Sequence, residues 1–303
     1  GSPARSASPS RDGWSRERIM LIFALAAVVH GTLAGKAVPI TGPWPSAYPA
    51  KDLCSNCGLC ASSVGVRHVT EACAFLGDGM SRAEALEPAI HGRGRRYDEA
   101  DLSEAHFGVH ERIVLARGTQ RGAQWTGVAT GVALAMLEAG AVDAVVVAAS
   151  AEEASGFGAP MPLLCRTADE VLRGRRVKPS LCPSLSVLDE VARDASLRRL
   201  LFCGVGCAVQ ALRRVGARDG QTAEQALGLD ALFVLGTHCV DNSPTPAAAK
   251  AFVTTIPGVG PDRVDDVRAY EFMPDFRVHA RLRTRQERPG QRGGRGQVER
   301  GGG

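Results

Sequence analysis

Between residues 124 and 237 the chain alternates two kinds of hydrophobic pattern. Gln124 to Ala139 places Val128, Leu134 and Leu137 on one stripe and predicts an amphipathic helix. Ala144 to Ala149 is a short β-branched run of the kind that forms a buried strand. Ser184 to Arg193 predicts a helix, Arg199 to Cys203 a strand, and Cys207 to Val215 a helix with Val209, Leu212 and Val215 in helical spacing. Ala231 to Thr237 predicts a further strand. Gly140, Gly174, Gly204, Gly206 and Gly236 punctuate the joints. Strands alternating with helices predict an α/β fold, a mixed sheet with crossover helices. No internal repeat is visible.

The flanks follow a different logic. Residues 3–18 are rich in Ser, Pro and Arg, with Asp12 and Glu17 as the acids, and resemble an organelle transit segment. Ile19 to Val29 is an apolar run, well short of the roughly 20 residues a spanning helix needs. It reads equally as a signal or anchor segment and as a misjoined flank. Arg281 to Gly303 is Arg, Gln and Gly with almost nothing apolar, so no core is expected there. An RGG-like RNA-binding tail is the minor reading of that stretch.

Composition narrows the function classes. A length of 303 residues allows one large core or two smaller ones, and 45% apolar with 22% charged residues is ordinary for a globular chain. The formal charge of +4 is concentrated in the Arg-rich ends. With nine Phe, three Trp and three Tyr, little is available for base stacking. No basic run in the folded part is interleaved with aromatics, so no nucleic-acid partner is expected.

Nine cysteines change the picture most. An odd number without regular pairing argues against a disulfide framework. Cys54-Ser-Asn-Cys57-Gly-Leu-Cys60 sets three thiols in a Gly-containing loop, a spacing that can wrap a 4Fe–4S cubane whose sulfides accept loop amides. Zinc is the weaker reading, because a second knuckle is missing. Cys73, in Glu-Ala-Cys-Ala-Phe, is the natural fourth ligand. Cys207 and Cys239 each follow a predicted strand end, on the sheet edge where α/β proteins bind ligands. Spacing alone leaves them equally readable as buried small residues. Cys165, Cys182 and Cys203 are read as packing residues.

The nucleotide signals are weaker. Gly204 and Gly206 begin a Gly-x-Gly-x-x-Gly pattern that fails at Val209. Gln124, Thr126, Gly127 and Thr130 put polar groups and glycine at a helix start, where free amides suit a pyrophosphate or merely cap the helix. Lys178 is a second candidate phosphate contact, equally readable as part of a solvated loop. With Ser184 and Gly206 these make the candidate flavin-binding set.

Longer motifs carry a resemblance. Lys51 to Cys60, Glu71 to Met80, His91 to Arg95, Phe107 to His110, Gly122 to Gly127, Leu201 to Cys207 and Tyr270 to Met273 occur in order between about Tyr48 and Arg277. Together they resemble the beta subunit family of deazaflavin-dependent hydrogenases, and within it the members that reduce chlorophyll-type pigments. The resemblance implies an FAD enzyme with two 4Fe–4S clusters, fed by reduced ferredoxin in the chloroplast stroma. The reaction it implies is reduction of the hydroxymethyl group of 7-hydroxymethyl chlorophyll a to the methyl group of chlorophyll a. Reduction of the 8-vinyl group of divinyl chlorophyllide by the same family is the alternative, as is an inactive, truncated iron–sulfur protein. Peripheral thylakoid association and a homo-oligomer are further expectations.

Residue by residue, the resemblance gives one cluster to Cys54, Cys57, Cys60 and Cys73. It gives the other to Cys207 and Cys239 with a later Cys-x-x-Cys pair that this sequence lacks, so a truncated chain with one complete cluster is expected. The expected organisation is a leader over 1–47, a small iron–sulfur-binding loop region over 48–115, an incomplete flavin-binding α/β domain over 116–277 and a disordered Arg/Gly tail over 278–303. The proton donor is not legible; His110 and Asp98 are weak candidates that read more simply as satisfied surface groups.

Overall fold

The computed structural model describes residues 57–66, 69–76, 85–120, 127–150, 160–176, 178, 182–239, 246–272 and 278–283. In chain order the elements are helices α1 (Ser63–Val66), α2 (Val69–Ala72), α3 (Leu86–His91), α4 (Ser103–Phe107) and α5 (Val128–Glu138), then strands β1 (Ala144–Ser150) and β2 (Pro160–Cys165). Helices α6 (Ala168–Arg173) and α7 (Leu188–Arg193) precede strand β3 (Arg199–Val205) and helices α8 (Gly206–Arg214) and α9 (Ala223–Leu227). Strand β4 (Ala231–Thr237), helix α10 (Pro246–Thr254) and strands β5 (Val267–Phe272) and β6 (Val278–Leu282) follow.

Four strands form a sheet in the order β2-β1-β3-β4. β1 runs parallel to β3 and β3 parallel to β4, while β2 pairs antiparallel with β1. The mixed sheet with crossover helices is thus the fold that the alternating pattern predicts. β2 is the element the pattern did not reveal, because Pro160 and Pro162 argue against a strand. It lies at the sheet edge, where a residue without an N–H is tolerated.

Alternation along the strands divides the core in two. Ala144, Val146, Leu200, Phe202 and Leu232 face a cluster built with Leu188 and Val191 of α7, Ala208, Ala211 and Leu212 of α8, and Leu227 of α9. Val145, Val147 and Leu201 face the opposite side, against Ala133 and Leu134 of α5 and Val171 of α6. Both faces are covered, which is why β1 reads as an uninterrupted apolar run. Burying a side chain such as Phe202 stabilises the fold by about 1.5–3 kcal/mol.

Several boundaries moved. α5 is described from Val128, and Gln124 to Thr126 lie outside the described residues. α7 begins at Leu188; Ser184 to Val187 form the turns before it. β3 extends to Val205, so α8 opens one residue before Cys207, at Gly206. Part of the expected tail is a strand: β6 pairs antiparallel with β5, and Ala280 and Leu282 pack on Val253, Val259 and Val267. Alternate apolar positions beneath the arginines supply one buried face, which composition alone does not reveal. Among the described residues no helix is long and apolar enough to cross a membrane.

The N-terminal end of the sheet is pinned electrostatically. Asp143 accepts from the amides of Arg198 and Arg199 at 3.0 and 2.7 Å and from the Arg199 guanidinium at 2.7 Å. Arg198 pairs with Asp230 beside it. The opposite edge, where β3 and β4 end, is left for the cysteines.

Candidate metal centre

Cys57 enters the described structure at the foot of a turn built by Gly58. Gly58 has φ 86°, and a Cβ there would meet the carbonyl oxygen of Pro183 and the amide of Ser186 at 2.9 Å. Only glycine allows both the left-handed conformation and this approach. The chain then forms a single 3-10 turn over Leu59–Ala61, with Cys60 exposed and Leu59 buried in the core of the α/β domain. The Leu185 amide donates to the Cys57 carbonyl oxygen at 2.8 Å, so the cysteine segment lies on the turn before α7.

Cys73 follows α2 directly. Its amide donates to the Val69 carbonyl at 2.9 Å, and its Sγ accepts from the Phe75 amide at 3.4 Å. α2 packs on α8 through Ala72, which joins the cluster of Ala208, Ala211 and Leu212. Arg214 donates from Nε to the Glu71 carbonyl at 2.7 Å and closes the contact.

Cys207 is the second residue of α8, where the chain turns off β3 through extended Val205 and Gly206. Gly206 has open space where a Cβ would sit. Val205 pairs with Thr237 and Gly204 with Gly236, so Cys207 and Cys239 each lie two residues past one paired position. The Thr237 hydroxyl donates to the Gly204 carbonyl at 3.2 Å and ties the two strand ends together. The two cysteines leave the sheet from the same edge, as their sequence positions predict.

The structure also relates Cys207 to the N-terminal cysteines. Burial pushes the Cys57 thiol up to about 11, and the neighbouring charges of Cys207, Cys73 and Cys60 push it the same way, against a stabilising hydrogen bond from the Leu59 backbone. Cys60 and Cys73 of the N-terminal segment and Cys207 of the sheet edge thus each lie within electrostatic range of Cys57. Among the described residues no group of three or more His, Cys, Asp or Glu side chains is closed tightly enough to hold a metal ion as it stands. The thiols are neighbours, and not a finished cage. Cys54 lies outside the described residues.

The donor set fits an iron–sulfur cluster chemically. Soft thiolates suit iron and sulfide, and backbone amides already donate to the sulfurs of Cys57 and Cys73. Bound cationic iron would offset the burial that keeps Cys57 protonated, together with the smaller repulsion from its neighbours.

The flavin set is more dispersed. Gly127, buried with φ 68°, starts α5, and Thr130 stands in its first turn. Lys178 spends its ammonium on the Arg175 carbonyl at 2.5 Å, and Ser184 is buried with its hydroxyl on the Cys182 carbonyl at 3.3 Å. Among these residues Gly206 adjoins Cys207 at the sheet edge, and Ser184 lies in the turn that receives the Cys57 segment. His110 Nδ1 lies 2.8 Å from the Gly108 carbonyl, and Asp98 accepts from the Ala100 amide at 2.9 Å. Cys203 lies within β3 and Cys165 at the end of β2, and burial pushes each thiol up to about 12. Burial also pushes the Cys182 thiol up.

Sequence reasoning missed Asp189. Its carboxylate accepts from Ser62 Oγ at 3.0 Å, Ser63 N at 2.9 Å, Ser63 Oγ at 2.7 Å and Val64 N at 3.1 Å. In the sequence it reads as an ordinary acid inside the helix predicted over Ser184 to Arg193. The Ser-Ser pair just after Cys60 was the available hint, since free amides and hydroxyls there call for an acceptor.

Sequence comparison with known proteins points to one family. Residues 113–189 match the N-terminal model, and residues 197–291 the C-terminal model, of the coenzyme F420 hydrogenase/dehydrogenase beta subunit. The chain is 48% identical over 246 residues to the chloroplastic 7-hydroxymethyl chlorophyll a reductase of Oryza sativa, covering 80% of this chain and 47% of that one. It is 42% identical over 236 residues to the uncharacterized protein all1601 of Nostoc, covering 77% of this chain and 54% of that one. The chain thus spans about half the length of these relatives. A solved structure of the F420-reducing [NiFe] hydrogenase complex of Methanosarcina barkeri aligns with a TM-score of 0.43 and 21% identity, over 55% of this chain and 58% of that one. With both halves of one family's fold matched in order, the chain belongs to the coenzyme F420 hydrogenase/dehydrogenase beta subunit family.

Proposed function

We propose that this chain is part of a ferredoxin-dependent reductase of chloroplast chlorophyll metabolism that converts 7-hydroxymethyl chlorophyll a to chlorophyll a. One observation carries the reading. In a chain 48% identical to a chlorophyll reductase, Cys57 lies within electrostatic range of Cys60, Cys73 and Cys207, and Cys207 leaves the sheet just past the end of a parallel strand. A sheet edge at the ends of parallel strands is where this fold class places its chemistry.

The reaction takes up two electrons and two protons, breaks the carbon–oxygen bond of the hydroxymethyl group and releases water. When bound, iron–sulfur clusters and FAD would supply the conversion of ferredoxin's single electrons into the pair the substrate needs. The protein's part is to hold and orient. Cys57, Cys60 and Cys73, with Cys54 preceding them, are the ligands proposed for one cluster, and Cys207 and Cys239 contribute to a second. Gly127 and Thr130 at the start of α5 are proposed for the FAD phosphates, with Gly206 leaving room for close approach at the cysteine edge. The substrate is a chlorophyll-type pigment, the electron donor reduced ferredoxin and the compartment the stroma.

Anaerobic reconstitution with iron and sulfide tests the first step. The expected product is brown, with broad thiolate-to-iron absorption near ~400 nm, and loses iron on Cys57→Ser, Cys60→Ser or Cys73→Ser. A colourless protein holding stoichiometric zinc would overturn the cluster assignment. Incubation of the reconstituted full-length protein with reduced ferredoxin and each pigment separates hydroxymethyl from vinyl reduction by the product formed.

A further inference from the structure

The cysteine segment has to be held against the α/β domain across more than a hundred residues of intervening chain, and one carboxylate makes four polar contacts that do so. Asp189, in the first turn of α7, accepts four hydrogen bonds from Ser62, Ser63 and Val64 at 2.7–3.1 Å. Ser62 is almost fully buried, so its hydroxyl makes this hydrogen bond away from water. α7 itself is fixed: Leu188 and Val191 lie in the core, and Arg193 donates from Nε to the Asp189 carbonyl at 2.9 Å. Asp189 is therefore presented from a rigid element to the segment that starts two residues after Cys60.

The neighbouring contacts act on the other side of the same turn. The Leu185 amide holds the Cys57 carbonyl, and Gly58 sits against Pro183 and Ser186. Residues 183–189 thus form one landing for residues 57–64, with Cys57 and Cys60 between its two ends. Apolar packing of Leu59 and Val64 supplies burial, but burial is non-directional and sets no register. Hydrogen bonds to a charged acceptor are directional and among the stronger ones available.

We propose that Asp189 is a positioning residue for the metal centre: by docking Ser62, Ser63 and Val64 onto α7 it fixes Cys57 and Cys60 in the arrangement that binds the cluster. This rests on the iron–sulfur reading above. Loss of the carboxylate leaves the α/β core intact and frees the cysteine segment to open, so cluster ligands separate more readily.

The test uses the full chain and two independent readouts. In the metal-free protein, alkylation of Cys57 by iodoacetamide, followed by mass spectrometry, reports opening of the segment; in the reconstituted protein, release of iron to a chelator reports cluster retention. Asp189→Ala should raise both rates about tenfold or more, in keeping with the loss of several hydrogen bonds to a charged group, while far-ultraviolet circular dichroism stays unchanged. Asp189→Glu, which keeps the charge, should recover part of the loss. Ser62→Ala with Ser63→Ala removes the hydroxyl donors alone and serves if Asp189→Ala does not fold; its effect should be smaller and in the same direction. Wild-type protein that binds no iron would defeat the cluster reading, and labelling of Cys57 would still test the docking. Wild-type labelling and iron-release rates in Asp189→Ala, or in the double serine variant if that is the one that folds, would overturn the proposal.

Discussion

The Nε of Arg214 lies 2.7 Å from the carbonyl oxygen of Glu71, joining residues 143 positions apart at the contact between α8 and α2. Glu71 is two residues before Cys73, and Arg214 closes the helix whose second residue is Cys207. Arg214→Ala should cost about 1.5–3 kcal/mol, the range for a hydrogen bond from a charged donor, measured as a shift in the urea midpoint at unchanged m-value. Arg214→Lys, which lacks the fixed fork, should recover only part of it.

Gly58 is a second fixed point. Gly58→Ala combines a left-handed φ of 86° with contacts of 2.9 Å to backbone atoms that cannot swing away. The expected destabilisation is of order 1–3 kcal/mol, accompanied by lower iron retention after reconstitution. Gly131→Ala is the control, because it has no atom within 4 Å of the added Cβ and lies inside a helix. It should be neutral or stabilising.

Asp143 gives a pH signature. Hydrogen bonding from the Arg199 side chain, with help from the Arg198 and Arg199 amides, holds its carboxyl below the ordinary aspartate value of 3.8. A carboxylate depressed in the folded state contributes stability that is present above the unfolded pKa and is lost as the pH falls through the folded one. Asp143→Asn should therefore be less stable than wild type at pH 7, with the gap closing progressively below pH 3.8. A gap of constant size from pH 7 into that range would count against the charge as its cause.

Cys203 and Cys60 should separate by reactivity. Burial holds the Cys203 thiol at about 12, which leaves roughly one molecule in ten thousand as thiolate at pH 8. Cys60 is exposed. In the metal-free protein iodoacetamide should modify Cys60 within minutes and Cys203 only on unfolding, read by peptide mass spectrometry. Cys203→Ala should leave iron content unchanged, whereas Cys207→Ala should reduce it in the full-length protein.

The sequence by itself determined the alternation of strands and helices. β1 and β3 are apolar runs buried on two sides, and β4 is an apolar run at the sheet edge with less of its length buried. A run of apolar residues bounded by glycines has few other ways to satisfy both its backbone and its side chains. It also determined that Cys207 and Cys239 leave the same sheet edge, since parallel strands joined by a helix end on one side. It could not reveal β2, whose prolines are tolerated only because the strand lies at an edge, nor β6, whose apolar positions are hidden among arginines.

Only the tertiary structure decided which cysteines meet. Sequence spacing separates Cys57, Cys60 and Cys73 from Cys207 into two groups, yet burial of Leu59 in the shared core and packing of α2 on α8 bring Cys207 within electrostatic range of Cys57. The role of Asp189 was equally invisible, because a carboxylate within a predicted helix looks the same whether it faces water or four donors from a distant segment. Local patterns record what a residue does within its own element. Which elements touch is set by the fit of whole apolar faces, and the chemistry of this protein lies where two such faces join.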